Sequence, residues 1–122
     1  MFTYGAYRAM SAPVASKHEL LARLRARRRE IIALDVRALG VFGSFARNDQ
    51  DNESDIDFLV EFAPDHKTFA KFMQLAFLLE DALQRRVELI TPESLKPYMR
   101  DQIMDEVEYV PLDEDLSPTY SG

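Results

Sequence analysis

The chain of 122 residues contains no cysteine, which excludes a disulfide framework and any zinc site built on cysteine ligands. It has no apolar run that approaches the ~20 residues of a membrane-spanning helix. Its N-terminus also lacks the charged and apolar regions of a secretory signal. These absences favour a cytoplasmic protein. The length is that of one domain, without room for a second large substrate domain.

An excess of basic charge is missing as well. Lys and Arg together number 15 against 21 Asp and Glu, which gives a formal net charge of −6 at pH 7. Proteins that bind nucleic acid over a long non-specific footprint usually carry the opposite excess, so direct nucleic-acid binding is not expected. A small site for a nucleoside triphosphate remains compatible with this charge, because a metal ion can supply positive charge locally.

Two stretches of the chain have the apolar spacing of helices. Ser16 and Glu19 form a capping-box pattern, which predicts a helix from there to about Leu34. Its expected apolar stripe consists of Leu20, Leu24, Ile31 and Ile32. Residues 68–84 show the clearest helical spacing. The expected apolar face of this second helix contains Phe69, Phe72, Ala76, Leu79 and Leu83.

Strand patterns alternate with these helices. Strands are predicted over 36–42, 55–62 and 86–91, with a short helical turn over 44–48 and a polar loop over 48–54. Beyond them, a helical stretch from Pro92 interrupted by Pro97, a helix at about 98–107 and a short last strand at Tyr109-Val110 are expected. The alternation predicts an α/β (α+β) fold, with a small mixed β-sheet and helices packed mainly on one face.

The ends of the chain lack such patterns. The predicted organisation is a flexible leader over 1–15, one domain over 16–111 and an acidic tail over 112–122.

The segment that carries chemistry is Gly43-Ser44, followed after ten residues by Asp55-Ile56-Asp57. Gly43 ends a strand where a ligand can approach closely, because glycine has no Cβ. Ser44 opens a helical turn whose first N–H groups lack internal partners and can hold phosphate oxygens. Asp55 and Asp57 lie two apart on a strand, so both carboxylates point to one face. Such oxygen ligands suit Mg²⁺ together with substrate phosphates.

The motif occurs by chance in about one chain per thousand of this length, given average residue usage. The required order of strand, turn, polar loop and strand is also met. The alternative interpretation is a capped turn followed by an edge strand with solvated aspartates.

The stretch GVFGSFARNDQDNESDIDFLVEF resembles the DNA polymerase β-like nucleotidyltransferase superfamily, in particular its minimal nucleotidyltransferase (MNT) branch. The resemblance covers roughly residues 36–110. It implies that Gly43 and Ser44 bind the nucleoside triphosphate, expected to be ATP, and that Asp55 and Asp57 bind two Mg²⁺ ions. A third carboxylate, most often Asp in this superfamily, is implied at Glu88.

Three positions leave alternatives open. Glu88 is one methylene longer than the usual Asp. It either still serves as third metal ligand and base, or leaves the activity weakened, or is simply an exposed residue of the strand. Asn48 stands where relatives often have Gly, and Asn tolerates left-handed backbone. Arg47 lies one helical turn after Ser44 and either approaches the triphosphate or pairs with an acidic residue of the loop.

The resemblance also implies a partner, because larger relatives hold the acceptor on a second domain. In the MNT branch this partner is a HEPN protein, a toxic ribonuclease of a type VII toxin–antitoxin pair, and AMP is transferred from ATP to one of its tyrosines. Two other hypotheses remain: an antitoxin that neutralises its partner by contact alone, and a stand-alone nucleotidyltransferase for a small molecule. A homo-oligomer is also left open.

Overall fold

A mixed sheet of four strands forms the centre of the computed structural model, which describes residues 12–51 and 53–112. The strands lie in the order β3-β2-β1-β4. Strand β1 is antiparallel to β2 and to β4, whereas β2 and β3 are parallel. The strand bounds are Val36–Phe42 for β1, Ile56–Phe62 for β2, Val87–Ile90 for β3 and Glu108–Tyr109 for β4.

Five α-helices and one 3-10 turn are found among the described residues. Ser16 begins the first helix as predicted, since its hydroxyl accepts from the Glu19 N–H at 3.1 Å. Thr68 caps the longest helix in the same way. The bounds are Lys17–Ala26 for α1, Arg28–Ala33 for α2, Ser44–Arg47 for α3, Phe69–Leu83 for α4, Pro92–Ser94 for the 3-10 turn and Pro97–Glu106 for α5.

The main core fills one face of the sheet, between the strands and helices α1, α2 and α4. Alternate residues of β2 point into it, which is the pattern expected of a strand with one buried face. Its fully buried side chains include Leu20, Leu24, Ile31, Leu39, Val41, Phe45, Ile56, Phe58, Leu75, Leu79 and Leu83. The predicted mixed sheet with helices mainly on one face is therefore confirmed.

The opposite face of the sheet carries a smaller core and remains partly open. Leu95 and Ile103, from the segment that contains α5, pack there against Leu59, with Phe42 and Ile90 at the margin. Because Asp57 alternates with Phe58 along β2, its carboxylate emerges on this second face. The sheet thus separates the stability core from the candidate site.

The prediction of one continuous helix over 16–34 is wrong, because the chain leaves the helical conformation at Arg27. The break falls among arginines, where like charges three and four residues apart disfavour a continuous helix. Arg27 pairs there with Glu30 and, at 3.5 Å, with Asp81 of α4. Ile32 consequently faces solvent with 46% of its surface exposed and does not belong to the core.

Three further details differ from the predictions. Phe69, placed on the apolar face of the second helix, is the first residue of α4 and is 80% exposed. The helical stretch from Pro92 is only a 3-10 turn that ends at Ser94, and the helix expected at about 98–107 begins one residue earlier, at Pro97, since the first helical residue needs no N–H donor. Strand β2 begins at Ile56, one residue later than predicted.

One residue of the expected leader, Val14, contacts the main core. Val14 is fully buried in the main core, and its N–H donates to the Leu83 carbonyl at 2.9 Å. Residues 1–11 of the expected leader and residues 113–122 of the expected tail lie outside the described part of the chain.

We predict that Val14→Ala lowers the free energy of unfolding by about 2 kcal/mol, because two buried methyl groups are lost from a packed core. Urea denaturation of the full chain measures this. The matched control is Ile32→Ala, which removes a larger but exposed side chain and should change stability by less than about 0.5 kcal/mol. Equal stability of the Val14→Ala variant and the parent chain would contradict the position of Val14 in the core.

Candidate functional site

The registers of the sheet bring Asp57 next to two other predicted site residues. In the parallel pair β2–β3, Asp57 lies opposite Glu88. In the antiparallel pair β1–β2, it lies opposite Phe42, the residue before Gly43. Gly43, Asp57 and Glu88 are therefore neighbours at one end of the sheet, although they span 46 positions of the sequence.

Gly43 stands directly against the carboxylate of Asp57. Its φ of 78° lies in the left-handed region that side chains rarely adopt. A Cβ added there would lie 2.3 Å from Asp57 Oδ2, which no real contact permits. Only glycine lets the turn and the aspartate approach this closely, so both the backbone angle and the packing require it.

Ser44 opens the short helix α3, as the motif predicts. The side chain of Phe45 points down into the main core and is fully buried, which anchors this turn on the sheet. Asn48 ends α3 in a left-handed conformation with φ 61°, so it fills the place where relatives often have glycine. Asn is one of the few residues other than glycine that adopt this conformation readily.

The carboxylate of Asp57 lies in an unfavourable electrostatic environment. Partial burial raises the pKa of Asp57 from 3.8 to about 6, and the negative charges of Glu88, Asp55 and Glu106 add to the effect. The positive charge of Arg47 acts in the opposite direction. Carboxylates collected in this way favour a bound cation, so the donor set fits Mg²⁺ or a similar hard divalent ion.

The carboxylates do not, however, form a preassembled metal cluster. Within residues 12–51 and 53–112, no three His, Cys, Asp or Glu side chains converge closely enough to hold an ion by themselves. Asp55 is turned towards Arg86, whose Nε lies 3.2 Å from Oδ1. The arrangement therefore fits an ion that arrives with substrate phosphates as its remaining ligands, which is common for Mg²⁺.

Arg47 is occupied by two carboxylates in this structure. Its Nε lies 3.2 Å from Asp49 of the polar loop, and its Nη1 lies 3.1 Å from Glu106. Glu106 also accepts a hydrogen bond of 2.8 Å from the Gly43 N–H. The pairing with a loop acid that we considered for Arg47 is present. Glu106 was missed, because it lies at the end of α5, far from the motif in sequence.

Arg85 is a second residue that the sequence analysis missed. Its guanidinium donates to the carbonyls of Asp51 and Ser54 at 2.6 and 2.8 Å, and to that of Val14 at 3.1 Å. It also stacks over the Phe45 ring, 4.9 Å from the centroid. Arg85 therefore joins the polar loop to α3 and positions the loop that precedes Asp55. The only sequence signal was a pair of arginines before β3.

We predict that Gly43→Ala lowers the free energy of unfolding by about 2 kcal/mol, because the left-handed backbone angle and the clash with Asp57 both oppose a side chain. Chemical denaturation checks this. The matched double variant Gly43→Ala/Asp57→Ala removes the clashing oxygen and should recover part of the loss. No recovery would mean that the contact between Gly43 and Asp57 is not the cause.

We further predict a pH-dependent effect of Asp57→Asn on the metal-free protein. Between pH 3.8 and about 6, the native state binds a proton at Asp57 that the unfolded chain has released, so stability is lost as pH rises through this range. Asn copies the neutral form. Thermal melting in chelator should show the variant more stable than the parent above about pH 7, with no gain near pH 4.

The control for this pH measurement is Asp101→Asn, which neutralises an exposed carboxylate on α5 outside the cluster. It should leave the pH dependence as in the parent chain. A gain for Asp57→Asn that is the same at both pH values would contradict the raised pKa of Asp57, which burial and the neighbouring carboxylates together produce.

The chain matches the family model described as nucleotidyltransferase domain over residues 21–110. Among curated proteins, it is 40% identical over 75 residues to protein adenylyltransferase MntA of Thermococcus cleftensis, which is 62% of this chain and 75% of that protein. A Methanocaldococcus jannaschii protein with a provisional protein adenylyltransferase name is 39% identical over 71 residues, 58% of this chain and 75% of that protein.

Solved structures show the same fold. A structure described as a minimal nucleotidyltransferase superposes with a TM-score of 0.60 at 33% identity, over 72% of this chain and 93% of that one. A toxin–antitoxin structure with AMP-PNP gives a TM-score of 0.54 at 26% identity, over 68% and 71% of the two chains. The Gly43-Ser44 turn and the facing aspartates therefore lie within a matched domain, and the chain belongs to the nucleotidyltransferase domain family, in its minimal nucleotidyltransferase branch.

Proposed function

We propose that this chain is a Mg²⁺-dependent protein adenylyltransferase that transfers AMP from ATP to a tyrosine of a HEPN ribonuclease toxin and acts as its antitoxin. The observation that carries the proposal is the convergence of Gly43, Asp57 and Glu88 at one end of the sheet. A turn suited to phosphate faces carboxylates whose repulsion favours a divalent cation. Relatives that carry an adenylyltransferase name support the choice of AMP as the group transferred.

In this proposal, Gly43, Ser44 and Arg47 bind the triphosphate of ATP. Asp55, Asp57 and Glu88 would hold two Mg²⁺ ions, and Asp55 would have to leave Arg86 and turn towards Asp57 to do so. The bound ions would polarise the α-phosphoryl group and neutralise charge on the leaving pyrophosphate. Asp57 would contact both the ions and the phosphates, because it lies between Gly43 on one side and Glu88 on the other.

The transfer step joins the tyrosine oxygen to the α-phosphorus while the bond from that phosphorus to the bridging oxygen breaks. Pyrophosphate leaves with the electron pair of the broken bond. Glu88 is exposed on β3 beside Asp57, where it can accept the hydroxyl proton as the new bond forms. The additional methylene of Glu88 gives it reach towards an acceptor that arrives from outside the chain.

In this proposal the acceptor is held by a partner protein, since the second sheet face is only partly covered by the described residues. Exposed apolar side chains border that face: Met104 is 47% and Tyr109 is 47% exposed, and both line one concavity of about 200 Å³ with Leu59 and Arg100. The toxin–antitoxin structure with AMP-PNP supports a protein partner for this family branch.

Among the described residues, no helix is long and apolar enough to span a membrane. We place the reaction in the cytoplasm.

A second candidate is an antitoxin that acts by contact alone. It is favoured by the ion pair of Asp55 with Arg86, which turns one expected metal ligand away from the others. In this alternative, the concavity lined by Met104 and Tyr109 binds the toxin, and the carboxylates have no catalytic role. A stand-alone enzyme for a small molecule is the third hypothesis, and the same experiment distinguishes all three.

The test is incubation of the chain with α-labelled ATP, Mg²⁺ and a candidate HEPN protein from the same organism. With the parent chain, we expect label on a tyrosine of that protein. Asp57→Asn should reduce the rate of labelling by at least about 100-fold, since removal of a metal ligand removes charge stabilisation in the transition state. Glu88→Asp should remain active, and Glu88→Gln should lose most activity.

Asp101→Asn serves as the matched charge control and should label the partner as the parent chain does. Co-purification of the two proteins without label would contradict transfer and favour the contact antitoxin. Transfer of labelled AMP to a small molecule, without binding of the chain to the partner protein, would favour the stand-alone enzyme.

A further inference from the structure

Glu106 engages the same two donors that the proposed function assigns to the triphosphate. The Gly43 N–H donates to Glu106 Oε2 at 2.8 Å. Arg47 Nη1 donates to Oε1 at 3.1 Å and to Oε2 at 3.3 Å. One carboxylate thus binds a backbone amide and a guanidinium together, and the anionic oxygens of a phosphate group suit the same pair of donors.

The position of Glu106 is unfavourable without these donors. It is the last residue of α5, where unpaired carbonyl groups give the helix end a partial negative charge. It also acts as a like charge on Asp57 and helps to raise the pKa of that residue. Its side chain is only 23% exposed, so solvent compensates little. The contacts with Gly43 and Arg47 are therefore what holds the carboxylate in the site.

We propose that Glu106 is a built-in competitor for the nucleotide: it occupies the Gly43 N–H and Arg47 in the nucleotide-free protein and must leave both before the triphosphate binds. This inference rests on the proposed function, which assigns the two donors to ATP. Release of Glu106 frees Arg47 for the phosphates and detaches the end of α5 from α3. Binding of nucleotide is then coupled to the segment that leads into β4.

Glu108 offers a matched comparison two residues further along the chain. Its Oε1 accepts from Lys17 Nζ at 2.8 Å, and the same ammonium donates to the Ala46 carbonyl at 3.2 Å. Glu108 therefore has the same charge and lies close to α3, but its ion pair is with Lys17, not with Gly43 or Arg47. A general effect of negative charge near the site would appear in both residues, whereas competition for donors is specific to Glu106.

The experiment is equilibrium binding of a non-hydrolysable ATP analogue with Mg²⁺ to the full chain and its variants. Glu106→Gln and Glu106→Ala should bind the analogue about three- to tenfold more tightly than the parent, since a charged competitor of the phosphates is removed. Glu108→Gln should stay within about twofold of the parent. Arg47→Ala should cost more affinity in the Glu106→Ala background than in the parent chain, because Arg47 is then free to bind phosphate.

A second readout does not involve nucleotide. In the free protein, the Gly43 amide proton should shift upfield and exchange faster in Glu106→Ala, while Glu108→Gln leaves it unchanged. Glu106→Gln keeps the size of the side chain and carries the nucleotide-binding measurement if the alanine variant does not fold, although its amide oxygen can still accept from the Gly43 N–H.

The outcomes separate the two proposals. If both Glu106 variants bind the analogue with the same affinity as the parent chain, the competitor proposal is refuted and the proposed function stands. An equal gain in Glu108→Gln also refutes it. Measurable binding of the analogue by the Glu106 variants, with none by the parent chain, supports the competitor proposal most strongly. If no protein binds the analogue, the proposed function fails and the competitor fails with it.

Discussion

The contact between Gly43 and Asp57 is the constraint on which the rest of the site depends. The aspartate is partly buried, faces other carboxylates and leaves no room for a Cβ on the opposing turn. Several elements act together to maintain this contact. The β1–β2 register brings Asp57 to the end of β1, Phe45 anchors the turn in the core, and Arg85 fastens the loop between them. Under the proposed function, a cation with phosphate ligands would relieve the repulsion, so the substrates would remove the energetic cost of the site.

Much of the fold was predictable because its signals are local. The bounds of β1 agree with the prediction at both ends, since the apolar run stops at a glycine that the turn requires. The N-caps Ser16 and Thr68 satisfy orphan N–H groups with their own hydroxyls, which depends on neighbouring residues alone. The Gly43-Ser44 turn and the paired aspartates were found in the same way, from spacing and residue type. The place of Glu88 beside Asp57 required the resemblance, because periodicity does not determine the register of parallel strands.

The features that escaped prediction are set by contacts between distant segments. Glu106 enters the site only because α5 crosses the second sheet face, and nothing around position 106 in the sequence indicates this. The break of the first helical region at Arg27 involves Asp81 of α4, which is 54 residues away. Phe69 and Ile32 have the right spacing for a core, but no element within residues 12–51 and 53–112 covers them. Periodicity shows which face is apolar, whereas tertiary packing determines how much of that face is buried.

The central claim is that a divalent ion and a nucleoside triphosphate bind between the Gly43-Ser44 turn and the carboxylates of Asp57 and Glu88. Paramagnetic broadening of amide resonances by Mn²⁺, added with a non-hydrolysable ATP analogue, measures this position directly. We expect selective loss of the signals of residues 43–44, 55–57 and 88 in the parent chain, and their retention in Asp57→Asn. Broadening that is uniform over the surface, or centred on a different region and unchanged in Asp57→Asn, would contradict the assignment of the site.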